Sequence, residues 1–287
     1  MAQPLKTVIS ASRRTDIPAF YMDWFMEQIR EGSFRVVNPF NRRTRYVPAA
    51  PDSVHTIVFW SKNFETFIDG RYGENLMKKG YHLFFNFTIN SGSAVLEPRV
   101  PPLADRLRQL AYICGHFDVQ AVNWRFDPIC FYKTDGSKVH GNLGDFLQIA
   151  DQASELGVRR CITSFLDLYP KIERRTRKIS GFSFVDMAME EKIRTLDTMV
   201  QILNEREIAL QTCCEKEVTE KLPPGLNVEP SACIPNDLIM DTFGGNLSLK
   251  QDSGQRIKAG CGCKESVDIG SYDLHPCYHN CLFCYAN

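Results

Sequence analysis

Six short runs rich in β-branched and aromatic residues, at 7–10, 56–60, 81–89, 119–124, 160–165 and 207–212, alternate with helical patterns. This alternation limits the fold more than any other feature. Short apolar runs of this kind are what strands buried on both faces look like. Helices are expected between them at 18–31, 102–116, 143–156 and 183–204. The first has Asp16 before it, Pro18 in its first turn and Gly32 past its end, a cap at each terminus. The second sets Leu103, Leu107, Leu110 and Ile113 on one face, and the last sets Val185, Met189, Leu196, Met199, Val200 and Leu203 on one stripe, read as core. Strand-helix alternation predicts a parallel sheet with right-handed crossovers. No Gly-x-Gly-x-x-Gly follows the first run, so a dinucleotide-binding Rossmann fold loses support. The expectation is an α/β protein with a parallel (β/α) barrel of TIM type, complete or partial. Residues 1–213 form the barrel body. Pro223-Pro224-Gly225 and Gly244-Gly245 mark residues 214–287 as a loop-rich, Cys-rich, metal-binding region packed on the barrel mouth.

Lys and Arg total 34 and so do Asp and Glu, a formal net charge of zero. That argues against a protein held mainly by phosphate backbones, which needs a basic excess. The first ten residues hold no apolar segment followed by a small-residue cleavage site. No run approaches 18 apolar residues, so no membrane span is expected. The expected compartment is the cytoplasm.

Eight of the 11 cysteines lie at 213–287: Cys213, Cys214, Cys233, Cys261, Cys263, Cys277, Cys281 and Cys284. In a reducing compartment such clustering points to metal or catalysis rather than disulfides. Cys114, Cys130 and Cys161 are scattered among apolar neighbours and read as small buried hydrophobes. Cys277-x3-Cys281-x2-Cys284 packs three soft ligands into eight residues. A structural zinc site wants four. His279 lies within the motif, but it stands two residues from each of two ligands. Three thiolates on a [4Fe-4S] cluster leave one iron open.

Active sites of parallel barrels sit at the C-terminal strand ends, and here those ends are polar. They carry Arg13, Arg14 and Asp16, then Lys62, then Arg125 and Asp127, then Glu215. Arg125 and Asp127 are two apart on an extended segment and so point the same way. A structural ion pair and a ligand-binding pair explain that spacing equally.

Cys277-x3-Cys281-x2-Cys284, with Phe283 before the last Cys, resembles the cluster motif of the radical S-adenosylmethionine (SAM) superfamily. The resemblance implies a [4Fe-4S] cluster whose open iron binds the amino and carboxylate groups of SAM. Reductive cleavage there releases a 5′-deoxyadenosyl radical that takes a substrate hydrogen. It also implies a reductant such as flavodoxin or ferredoxin and an unidentified small-molecule substrate. On this reading Arg125 meets the SAM carboxylate, Asp127 the ribose hydroxyls, and Arg13, Arg14, Asp16 and Lys62 complete the cofactor and substrate rim. The superfamily's motif usually follows the first strand. Here it ends the chain, which a barrel permits because its last strand lies beside its first. Together with residues 10–18, 37–40, 59–63, 125–128 and Gln255-Arg256, the motif resembles an uncharacterised bacterial family, domain of unknown function 1848.

A second metal site is expected from Cys214, Cys233, Cys261 and Cys263. Gly262 permits the tight backbone between the last two. Cys213 and Cys214, adjacent on a strand end, should point apart, so one alone should reach the site; the family resemblance favours Cys214, which precedes Glu215. Four thiolates suit a second [4Fe-4S] cluster or zinc, and reduced buried thiols are the remaining reading. Two other functions compete. One is a non-catalytic iron-sulfur or zinc-binding barrel. The other is a nucleic-acid-modifying radical lyase, with support from the basic runs at 42–45 and 171–178, although charge runs are usually solvated faces.

Overall fold

The computed structural model describes residues 5–38, 41–136 and 138–286. Pro39 and Phe40 of the 37–40 motif lie outside the described residues. Every expected run contributes a strand, and eight strands make one sheet in which each pairing is parallel. Across it lie Val267–Asp268, Thr7–Ala11, Val54–Ser61, His82–Thr88, Val122–Ile129, Arg160–Phe165, Ala209–Thr212 and Glu229–Pro230. Apart from the strand at 267–268, sheet order is chain order. That last strand pairs with the first through Ile9 opposite Val267 and Ser10 opposite Asp268. The Cys-rich region thus supplies both edges of the sheet. No ladder joins Glu229–Pro230 to Val267–Asp268 among the described residues, so the fold is α/β with a large parallel sheet and no closed barrel. Each edge strand is two residues long, and Pro230 has no N–H to donate.

Two layers of apolar packing flank the sheet. On one face Ile9, Phe59, Phe85 and Trp124 pack with the helices, including Phe25, Leu110, Ile149 and Leu196. On the other, Val8, Val58, Phe84 and Ile162 pack with Ile234, Ile239 and Leu247. The latter come from the helix Asn236–Phe243 and its flanks. Polar side chains on this second face are bonded to one another. Asn123 donates to Asn86 at 3.1 Å, and Asn86 donates to the carbonyl of Cys233 at 2.8 Å.

Three sequence expectations shift. The 18–31 helix is two, Ile17–Phe20 and Met22–Glu31, parted at Tyr21, whose φ of −136° is not helical. Residues 119–121 form a short 3-10 turn held by Asp118, which accepts from Gln120 N at 2.9 Å. Within 183–204, only Met189–Asn204 is helix. Phe182–Val185 is a strand antiparallel to Phe131–Thr134, because alternating Phe-Ser-Phe-Val follows the two-residue period rather than the helical one. The ribbon Ser33–Val37 with Thr44–Pro48 was not expected. No described helix is long and apolar enough to cross a membrane.

Candidate metal and cofactor site

A cavity of about 450 Å³ opens where the strands end. Ser12 and Arg13 reach it from the first strand, Trp60 and Lys62 from the second, and Thr88 from the third. Arg125 and Asp127 follow, then Ser164, then Cys213 and Cys214. The C-terminal region closes it with Cys233, Cys261, Cys263, Phe283, Cys284 and Tyr285. The five cysteines at 213–263 and, from the C-terminal motif, Cys284 therefore face one space.

The loop that carries the Cys277, Cys281 and Cys284 triad is fixed to the body by several hydrogen bonds, among them Leu282 N to Leu96 O at 2.8 Å. His279 Nε2 donates to Asp16 Oδ2 at 2.8 Å, both side chains buried. Asp16 also accepts from Ala19 N at 3.0 Å, Ser61 Oγ at 2.7 Å and Lys62 N at 2.8 Å. Arg175, on the helix Pro170–Thr176, donates to the carbonyls of Cys281 and Cys284 at 2.8 Å and of Leu282 at 3.1 Å. Tyr285 Oη donates to Arg13 O at 3.0 Å. Cys277, Cys281 and Cys284 lie close enough to influence one another's charge. Burial pushes the Cys277 thiol up to about 12 and also raises that of Cys281.

Lys62 Nζ pairs with Glu97 at 2.6 Å and lies 5.3 Å from the Phe283 ring centroid. Burial works against the Lys62 charge, but Glu97 and Cys281 outweigh it and raise its pKa. The second carboxylate oxygen of Glu97 is buried with no hydrogen-bond partner. An acceptor desolvated in this way has unused capacity for a donor.

Arg125 and Asp127 form a buried ion pair, as the two-residue spacing allowed. Arg125 also donates to Cys233 Sγ, and Asp127 accepts from Ser164 Oγ. Burial disfavours both charges, but their mutual attraction outweighs it, raising the arginine and lowering the aspartate. Trp60 has a guanidinium against its ring from Arg13 at 5.4 Å and from Arg125 at 5.2 Å. Of the rim candidates, Arg13, Lys62, Arg125 and Asp127 line the cavity. Arg14 does not: its Nη1 donates to Gly270 O at 2.9 Å, and it lines a smaller recess with Arg42 and Asp273. Asp16 does not either, since its carboxylate is spent on the contacts above.

The five remaining clustered thiols lie together on the cavity wall. Cys213 Sγ is 3.7 Å from Cys214 Sγ and 3.7 Å from Cys233 Sγ. Cys261 lies near enough to Cys214, and Cys263 near enough to Cys233, to influence their charge. The expectation that Cys213 and Cys214 point apart fails because Cys214 has φ +62°. Strand alternation does not apply at a left-handed residue. Gly262 is needed for close approach rather than for its dihedral: a Cβ there would lie 2.8 Å from Ser231 O. Among the described residues, no three or more His, Cys, Asp and Glu side chains are arranged to hold a metal ion.

Sequence reading missed Arg175 and Glu97. Arg175 sat in a charge run with nothing to set it apart, and Glu97 lies in a loop between expected elements.

Comparison with known proteins covers nearly the whole chain. A family model described as Domain of unknown function (DUF1848) matches residues 8–286. No curated protein matches the chain.

Proposed function

We propose, for a chain that belongs to the DUF1848 family over residues 8–286, that it is a radical SAM enzyme acting on a small molecule in the strand-end cavity. One observation carries the reading. His279, the one non-thiol ligand type inside the cysteine motif, is committed to Asp16, so the motif offers three thiols and no fourth ligand. That donor set fits a [4Fe-4S] cluster with one iron free of protein. When bound, such a cluster supplies the electron that cleaves the SAM sulfonium and so initiates hydrogen abstraction.

The chain's own residues have distinct tasks in this reading. Cys277, Cys281 and Cys284 hold the cluster. Leu282 and Phe283, both buried, exclude water from it. Lys62 sets positive charge beside Cys281, and the unpartnered Glu97 oxygen offers an acceptor to an ammonium. Arg13 and Lys62 are the nearer cations for a carboxylate. Arg125 and Asp127, already paired, line the cavity and orient a bound molecule by shape and residual acceptor capacity. Arg14 and Asp16 position the C-terminal loop.

The sheet itself is read here as a (β/α) barrel opened at one seam, between Glu229–Pro230 and Val267–Asp268. Its strand order supports this, because the last strand lies beside the first. The electron donor is a small acidic carrier such as flavodoxin or ferredoxin, in the cytoplasm. The exposed residues Lys171, Arg174, Arg177 and Lys178 surround the helix that clamps the triad loop and suit an acidic partner.

The test is anaerobic reconstitution with iron and sulfide, then reduction in the presence of SAM. The expected product is 5′-deoxyadenosine, lost in Cys281→Ala. A reconstituted, reduced protein that leaves SAM intact overturns the reading.

A further inference from the structure

We propose that Cys214, Cys233, Cys261 and Cys263 ligate a second [4Fe-4S] cluster on the wall of the same cavity, with Cys213 a fifth, non-ligating thiol beside it. The site stands apart from the triad, which supplies none of its ligands. Single buried thiols arise in cores as small hydrophobes, as Cys130 and Cys161 do here. Five thiols brought from three separate segments to one cavity wall are more than apolar packing asks for.

Local structure is shaped around this convergence. Cys214 adopts a left-handed backbone, which an L-residue holds only where its surroundings over-determine it. That turn brings its sulfur to 3.7 Å from that of Cys213, on the same side of the chain. Gly262 lets the Cys261–Cys263 turn press on Ser231 O. Asn86 holds the Cys233 carbonyl from inside the sheet at 2.8 Å. The thiols are also flanked by cations. Arg125 donates to Cys233, and Arg13 and Arg256 lie near enough to Cys263 and Cys214 to feel their charge. Four thiolates concentrate negative charge, and fixed guanidiniums offset it where water is scarce.

The all-sulfur donor set selects zinc or iron-sulfur. The two differ in how the sulfurs stand. A single ion needs its ligands to converge on one point. A four-iron cluster gives each thiolate its own iron, so the sulfurs need room between them, and Cys214, Cys233, Cys261 and Cys263 all line the cavity of about 450 Å³. Cys213 lies 3.7 Å from both Cys214 and Cys233, beside the run Cys214, Cys261, Cys263, Cys233. It is left free, facing the cavity.

The full-length Cys277→Ala/Cys281→Ala/Cys284→Ala variant, reconstituted anaerobically, tests this without the triad. It should keep about four irons per chain, a brown absorbance and an electron paramagnetic resonance signal on dithionite reduction. Adding Cys214→Ser should abolish all three, whereas adding Cys213→Ser should leave them. Circular dichroism reports folding, and Cys263→Ser serves as the ligand variant if Cys214→Ser does not fold. Zinc in place of iron, or a folded protein without iron, overturns the cluster. Iron lost with Cys213→Ser and kept with Cys214→Ser overturns the ligand assignment. Wild-type protein with the same four irons as the triad variant counts against the triad reading and leaves this one standing.

Discussion

His279 in the last ten residues and Asp16 just after the first strand are joined by a buried 2.8 Å hydrogen bond. The bond ties the two ends of the chain together at the cavity rim. Asp16 is also the cap of the helix Ile17–Phe20 and the acceptor for Ser61 Oγ and Lys62 N, so one carboxylate organises three segments. His279→Ala leaves that carboxylate one donor short in a buried place, at a cost of about 1–3 kcal/mol. Asp16→Ala strands four donors at once and should cost more, about 3–5 kcal/mol. Thermal unfolding of both variants checks the order. Equal losses would show that His279 carries the whole effect.

Arg175 accounts for a second anchor. Its guanidinium spans three carbonyls of the triad loop, a fork that a lysine ammonium does not reproduce. Arg175→Lys should therefore behave like Arg175→Ala, with far-ultraviolet circular dichroism unchanged and iron at Cys277, Cys281 and Cys284 released faster to a chelator. Release at the wild-type rate from either variant would mean the loop is held without it.

Much of the scaffold was legible in the sequence, because strand runs and helical stripes are local signals. The Arg125–Asp127 pair was legible for the same reason: two residues on one strand share a face. The rest depended on contacts between distant segments. The strands at 229–230 and 267–268 are too short to carry a periodic pattern. The run at 171–178 reads as a solvated face, and nothing local shows that Arg175 turns inward to carbonyls a hundred residues away. The pairing of Cys213 with Cys214 was misread because alternation presumes extended backbone, and φ +62° at Cys214 breaks it.

Two glycines give opposite expectations for the same substitution. A Cβ at Gly262 would sit 2.8 Å from Ser231 O, backbone against backbone, whereas one at Gly115 meets nothing within 4 Å. Gly262→Ala should destabilise by about 1–3 kcal/mol through overpacking and lower iron uptake by the second cysteine group. Gly115→Ala, within the helix Leu103–His116, should stabilise by about 0.5–1 kcal/mol. Urea midpoints of the two variants measured side by side decide the matter, and matching signs would refute it.

The basic face over the triad loop should govern electron delivery. Lys171→Glu/Arg174→Glu/Lys178→Glu reverses exposed charges while leaving Arg175 in place. Reduction by flavodoxin hydroquinone should slow about tenfold or more at low salt and lose most of its ionic-strength dependence. Reduction by dithionite, which needs no docking, should be unchanged. A flavodoxin rate equal to wild type would place the entry point elsewhere. Tighter binding of a single-stranded oligonucleotide than of flavodoxin would assign the face to nucleic acid.

Acid should weaken the fold through His55 and His82, whose rings lie 5.3 Å apart. Burial lowers the pKa of both below the ordinary 6.5. With its proton on Nε2, neutral His55 donates to Gly244 O at 2.9 Å and accepts from the Thr56 hydroxyl at 2.8 Å. The native state thus takes up protons less readily than the unfolded chain. By linkage the stability from these rings is fully present above about pH 6.5 and is lost as pH falls below it. Urea midpoints at pH 7.5 and pH 5.5 should drop for wild type, and drop less for His55→Gln/His82→Gln. Equal drops in the two proteins would assign the acid sensitivity to other groups.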